Sequence, residues 1–142
     1  MNEEQLKQKL LKEFKNTEHC YLKKFPSGMY SAGMPDLIGH INEKFIAIEV
    51  KVIKLPKRDT TIIKPFKMVT ALQKQTIKEL NDSSITGKCA LVITGGIDEQ
   101  GKLKCLYITH NMESIWFFVI SNVDGIIDQL LKIQNNNGKE TT

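Results

Sequence analysis

The stretch that decides the predicted fold is Gly33–Lys51, which reads GMPDLIGHINEKFIAIEVK. Within it, two apolar runs rich in β-branched residues, Asp36–Ile41 and Phe45–Val52, flank the polar break Asn42–Glu43–Lys44. Runs of this length on either side of a short polar turn are typical of a β-hairpin. We therefore expect two antiparallel strands joined by a turn centred on Asn42–Glu43.

The register of this hairpin predicts that Asp36 and Glu49 lie directly opposite each other. Opposed residues share one face of a sheet, with Cβ atoms about 4.5–5.5 Å apart. Lys51 lies two residues after Glu49, so strand alternation brings it to the same face. Two like charges on a half-buried sheet repel each other and are costly to desolvate. A Glu-x-Lys pair alone is common in strands, but together with Asp36 it indicates a divalent-metal site.

The elements around the hairpin predict an α/β fold. Both faces of the run Phe45–Val52 are apolar, which is typical of a strand covered on two sides. A first amphipathic helix spans residues 3–15, and a second runs from Lys67 or Thr70 to Asn81. The second helix leads to a buried strand at Lys88–Thr94, so the order strand, helix, strand indicates a crossover connection. We therefore expect a mixed β-sheet flanked by helices.

The rest of the chain carries shorter elements, which we expect in a single domain over residues 1–134. They are a strand at Cys20–Phe25, a strand at Leu103–Thr109, a strand or buried helix end at Ser114–Ile120, and a helix from Val123 to Ile133. The pair Gly95–Gly96 is expected to close the preceding strand. Residues 135–142 are polar and are predicted to be disordered.

The composition predicts a cytoplasmic protein. The chain has 142 residues, of which 41% are hydrophobic and 25% charged. Its longest apolar run, Ile115–Ile120, is far too short to cross a membrane. The charged, periodic N-terminus does not resemble a signal peptide. The three cysteines are widely spaced and the three histidines lack ligand spacing, so neither set indicates a metal site.

Positive charge is concentrated in residues 51–78, which carry eight basic side chains against Asp59 in a chain of net charge +4. Such a block suits the phosphate backbone of a nucleic acid. A solvated loop in a lysine-rich protein is the alternative. The predicted nucleic-acid-binding residues are Lys54, Lys57, Arg58, Lys64, Lys67 and Lys74. Tyr30 and Ser31, in the turn-rich segment before the hairpin, are further candidates whose alternative is a solvent-facing loop role.

Two helical residues are candidates to complete the site. Glu3 lies on the inward stripe of the first helix, and we expect it either to complete the metal shell or to complement the helix dipole. Gln73 borders the predicted inner stripe of the second helix, which comprises Val69, Leu72, Thr76 and Leu80. It would hold a reacting water or orient a carboxylate, or else serve as a surface amide.

The string GMPDLIG…FIAIEVK, followed by TALQKQTIKEL and ALVIT, resembles the VRR-Nuc group of PD-(D/E)xK nucleases, a group related to Holliday-junction resolvases. The resemblance covers residues 3 to 94 and implies a restriction-endonuclease-like fold. It also implies Mg²⁺- or Mn²⁺-dependent phosphodiester cleavage, often by a homodimer on branched DNA. Residues 52–69 and those after about 95 depart from the pattern.

The resemblance assigns a role to each matching position. Asp36 and Glu49 match the metal carboxylates, and the carbonyl of Val50 would be a further metal ligand. Lys51 matches the catalytic lysine, which would orient the attacking water. The positions of Glu3 and Gln73 match the glutamate of the family's first helix and the glutamine of the helix that follows the Glu-x-Lys strand.

Three functions are compatible with these patterns. The first is a structure-specific DNA endonuclease, such as a junction resolvase of phage or mobile-element origin. The second is a nuclease of the same fold that acts on linear or nicked duplex, single strands or RNA. The third is a non-catalytic DNA-binding module with a vestigial acidic site, and the intact Asp36, Glu49 and Lys51 argue against it.

Overall fold

The fold is described from a computed structural model, which covers residues 1–26, 32–58 and 62–135. Within these ranges, three helices and six strands follow one another. In order, they are α1 (Glu3–Lys15), β1 (Cys20–Lys24), β2 (Leu37–Ile41), β3 (Lys44–Lys54), α2 (Ala71–Asp82), β4 (Ala90–Ile97), β5 (Leu103–Thr109), β6 (Ile115–Val119) and α3 (Ile126–Asn135).

The six strands form one mixed sheet in which each strand lies beside its neighbours in sequence. Only β3 and β4 are parallel, and α2 connects them; the other four pairs are antiparallel. A parallel pair needs a crossover connection, for which the α2 segment is long enough. The predicted α/β class, with a mixed sheet flanked by helices, is confirmed.

The predicted hairpin is confirmed in its turn and in its register. Asn42 and Glu43 have φ angles of 49° and 71°, as a two-residue type I′ turn requires. The pairs run from Ile41 opposite Lys44 to Leu37 opposite Ile48. Continuing that register by one residue places Asp36 opposite Glu49.

Two hydrophobic layers cover the two faces of the sheet. On one face, α1 and α3 bury a set of apolar side chains that includes Leu6, Leu10, Phe14, Leu130 and Ile133. On the other face, α2 and the segment before it bury a smaller set that includes Phe66, Val69 and Ile77. Strand alternation along β3 places Glu49 and Lys51 on this second face, together with Ala47.

The predicted inner face of α2 is wrong in part: Val69 is buried and Leu80 packs against the core as expected, but the residues between them differ. Leu72 is 52% exposed, whereas Ile77 and Asn81 are buried. The helix is rotated relative to the prediction because Asn81 is held against the sheet by hydrogen bonds to the backbone of Ala90 and His110. A pattern of apolar residues alone cannot detect a face that contains a buried amide.

Several element ends also differ from the prediction. Strand β4 continues through Gly95–Gly96 to Ile97, because β5 packs closely there: a Cβ on Gly96 would lie 2.6 Å from Cys105 Sγ. Of the two alternatives for Ser114–Ile120, the structure has the strand, which is β6 at Ile115–Val119; helix α3 begins at Ile126 rather than Val123 and extends to Asn135. The rest of the predicted tail lies outside the described residues. No helix in the described ranges has the length and apolar character needed to span a membrane.

Candidate active site

Asp36 lies directly before β2, where backbone hydrogen bonds hold it on both sides. Its carbonyl accepts a hydrogen bond from the Phe25 N–H at 2.8 Å, which ties it to the end of β1. Its side-chain Oδ2 accepts from the Val50 N–H at 2.9 Å. The carboxylate is therefore fixed against β3, beside the position of Glu49.

Glu49 is a buried acid, with 2% of its surface exposed. Burial and the facing Asp36 carboxylate raise the pKa of Glu49 to about 8, and Lys51 opposes part of that rise. Its Oε2 lies 3.5 Å from Lys51 Nζ. Its Oε1 is buried and has no hydrogen-bond partner among the described residues. The predicted convergence of two carboxylates and one ammonium is present.

Gln73 orients Glu49 from the other side. The side chains of Thr70 and Gln73 form a capping box at the start of α2, in which Gln73 Oε1 accepts from the Thr70 N–H at 2.9 Å. The Gln73 Nε2 group is then directed to Glu49 Oε2, to which it donates at 3.2 Å. Because a backbone N–H can only donate, the orientation of this amide is determined. Of the predicted roles, the structure favours the orientation of a carboxylate.

The carbonyl of Val50 is suited to a ligand outside the sheet. Hydrogen-bonded pairs alternate along an antiparallel ladder, and the register that pairs Leu37 with Ile48 would pair Pro35 with Val50. Proline has no N–H to donate. The strand pairing with β2 therefore supplies no donor to the Val50 carbonyl, which points to the same side as its N–H, toward Asp36.

The structure does not bring Glu3 into this site. Glu3 is exposed at the first position of α1. In the described part of the chain, no three His, Cys, Asp or Glu side chains are grouped closely enough to hold a metal ion. The α1 residue that reaches the site is Lys7, whose Nζ lies 3.4 Å from Asp36 Oδ1. Lys7 is not among the residues predicted for the site, because the pattern of an amphipathic helix places lysines on its outer face.

A cleft of about 290 Å³ opens beside Asp36. Lys7 and Lys24 line it together with Phe25, Met34 and two prolines. Two ammonium groups beside the carboxylates are placed to contact an anionic group that enters the cleft.

The predicted nucleic-acid-binding residues lie on the surface. Their side chains are all exposed: Lys54, Lys57, Arg58, Lys64, Lys67 and Lys74. Lys57 makes an exposed ion pair with Glu99 at 3.4 Å, which is too weak to remove it from solvent. Tyr30 and Ser31 lie outside the described residues.

The buried acid makes the stability of the metal-free chain depend on pH. Since the pKa of Glu49 rises from 4.5 to about 8 on folding, the folded state binds a proton that the unfolded state releases. The contribution of Glu49 to the free energy of unfolding is therefore expected to be greatest below pH 4.5 and to decrease as the pH rises from 4.5 to 8. The expected loss is on the order of 5 kcal/mol between pH 4.5 and 8, of which about 3 kcal/mol falls between pH 5.5 and 8.

Urea denaturation of the metal-free chain between pH 5.5 and 8.5 checks this expectation. Glu49→Gln cannot ionise at this position, so its free energy of unfolding should not show the decrease with rising pH that the native chain shows. An equal decrease in both proteins would assign the pH dependence to other groups.

Comparison of the chain with protein-family models, with curated proteins and with solved structures finds no match. The site is therefore interpreted from its own geometry: two facing carboxylates, one of them buried, with an ammonium and an amide held against them.

Proposed function

We propose that this chain is a divalent-metal-dependent DNA endonuclease that hydrolyses phosphodiester bonds, and that its substrate is branched DNA. The observation that carries the proposal is the buried Glu49 carboxylate, which faces Asp36 and lies beside Lys51. A buried acid next to a second carboxylate ionises at neutral pH only at a cost that a bound cation would offset. Such a pair beside a lysine suits hydrolysis of a phosphate ester.

The oxygen atoms of the site fit Mg²⁺ or Mn²⁺, hard cations that prefer oxygen ligands and retain several waters. The residues that would hold the ion are Asp36, Glu49 and Val50. Glu49 Oε1 is buried without a hydrogen-bond partner in the described ranges, which is the state expected of a ligand atom before its metal binds. When bound, the ion would neutralise charge on the scissile phosphate and lower the pKa of a bound water.

The side chains around the carboxylates would complete the reaction. The Lys51 ammonium, 13% exposed, is placed to orient the attacking water and to stabilise negative charge on the phosphate as the P–O bond breaks. Gln73 is a positioning residue, since its amide holds Glu49 Oε2 and leaves Oε1 for the metal. Lys7 and Lys24 would contact the neighbouring phosphate in the cleft.

Branched DNA is proposed because the motif around Asp36, Glu49 and Lys51 resembles the VRR-Nuc and resolvase nucleases. The exposed basic residues of positions 54–74 would hold the flanking backbone. A single site cuts one strand, so we propose that a symmetric homodimer makes paired incisions.

Cleavage assays with the full chain test this function. A four-way junction, a linear duplex, single-stranded DNA and single-stranded RNA are incubated with Mg²⁺, with Mn²⁺ or with a chelator. We expect the junction to be cut in either metal and to remain intact with the chelator. Preferred cutting of another substrate would contradict the branched-DNA assignment. Binding of DNA without cleavage in any metal would identify a non-catalytic binding module.

A further inference from the structure

The Lys7 ammonium lies between two carboxylates at the edge of the site. Its Nζ is 3.4 Å from Asp36 Oδ1 and 4.0 Å from Glu4 Oε2. Its side chain is 19% exposed, so solvent screens these charges less than it would on an open surface. The other oxygen of Glu4 is bound by Lys24. An acid–ammonium–acid arrangement thus extends from α1 to the start of β2.

The oxygen atoms of the site suffice for one divalent ion. Asp36 Oδ2 is occupied by the Val50 N–H, and Glu49 Oε2 is occupied by Gln73. Glu49 Oε1 has no hydrogen-bond partner in the described ranges, and Asp36 Oδ1 lies against the Lys7 ammonium rather than a backbone donor. Together with the Val50 carbonyl, these two oxygens make one set of ligands. The charges agree with this count, because Asp36 and Glu49 already face two ammonium groups, Lys7 and Lys51.

A second divalent ion would need another carboxylate next to Asp36. Glu4 is the acid in that direction, but the Lys7 ammonium occupies the space between the two. An ammonium and a metal ion cannot share that position, because like charges at such a distance repel strongly.

We propose that Lys7 takes the place of a second divalent cation, so that the site holds one metal ion and a built-in ammonium. This inference rests on the proposed function, since it concerns the same metal site. Unlike the loss of a surface ion pair, loss of the Lys7 charge should create a second metal site. Removal of the Lys7 charge leaves Glu4 and Asp36 facing each other, and side-chain rotation of the half-exposed Glu4 lets both bind one ion at ~2.1 Å.

The number of bound Mn²⁺ ions per chain measures this directly, with free Mn²⁺ followed by electron paramagnetic resonance and no DNA present. We expect one site in the native chain and two in Lys7→Met, which keeps the aliphatic stem and loses the charge. Lys7→Gln is a second neutral variant with the same expectation. Lys7→Arg should keep one site. Lys24→Met is the matched control, because Lys24 contacts Glu4 but not Asp36, and it should also keep one site.

The outcomes separate this inference from the function on which it rests. Two ions on the native chain, or one ion on both neutral Lys7 variants, would overturn the role of Lys7 and leave the nuclease proposal standing. A native chain that binds no Mn²⁺ would overturn the metal site itself. Two ions on Lys24→Met would show that loss of either lysine that contacts Glu4 opens the second site, and this result would also overturn the inference.

Discussion

Replacing Glu49 by glutamine is expected to reduce metal-dependent cleavage at least about 10³-fold, because the metal supplies several kcal/mol of charge stabilisation and each ~1.4 kcal/mol is a factor of ten. The variant is expected to remain folded. A glutamine can still receive the Gln73 amide hydrogen bond through its oxygen, and it removes the charge that burial and Asp36 disfavour. Loss of activity and preserved stability should therefore occur in one protein.

Single-turnover cleavage rates and melting temperatures, measured on the same samples, check this expectation. Glu79→Gln is the matched control, since it makes the same chemical change at an exposed position of α2 and should leave both quantities unchanged. A Glu49→Gln protein that cuts DNA within tenfold of the native rate would contradict the role of Glu49. If it lost activity only because it unfolded, its melting temperature would reveal that.

The hairpin could be predicted from the sequence because two short-range rules determine it. A two-residue turn sets the register, and strand alternation then sets which side chains share a face. The opposition of Asp36 and Glu49 therefore follows from counting residues. The contact between Gln73 and Glu49 joins α2 to β3, which are distant in sequence. The sequence therefore predicts it only as one of several roles for a glutamine near a packed face.

Lys7 could not be found in this way, because its position contradicts the usual division of an amphipathic helix. Lysines are mostly exposed, so a helical pattern assigns them to the solvent side. The long apolar stem of lysine nevertheless lets the ammonium reach past the edge of the buried face. In the structure it reaches Asp36, one turn after the glutamate that had been predicted to do so. Only the three-dimensional packing of α1 shows that Lys7, and not Glu3, reaches the site.

Asn81 is the buried polar residue whose loss is expected to cost the most stability. The pairing of β4 with β5 stops at Val92 and Thr109, so the N–H and C=O groups of Ala90 on that side have no strand partner. Asn81 supplies both: its Oδ1 accepts from the Ala90 N–H at 2.7 Å, and its Nδ2 donates to Ala90 O at 2.9 Å. The same Nδ2 donates to His110 O at 2.9 Å.

Asn81→Ala is therefore expected to lower the free energy of unfolding by about 3 kcal/mol, since each buried group left without a partner costs roughly 1–3 kcal/mol. Urea denaturation measures the change, and the melting temperature should fall by roughly 10 °C. Asp82→Ala, at the next and exposed position, is the control and should cost less than about 0.5 kcal/mol.

The same variant tests whether Asn81 acts only through stability. Asn81 lies eight residues after Gln73 on α2, about two turns away, so it holds the helix that presents Gln73 to Glu49. Well below its melting temperature, Asn81→Ala should retain cleavage within tenfold of the native rate, because the capping box still orients the Gln73 amide. A loss as large as that of Glu49→Gln in a folded Asn81→Ala protein would mean that the docking of α2 is itself limiting for catalysis.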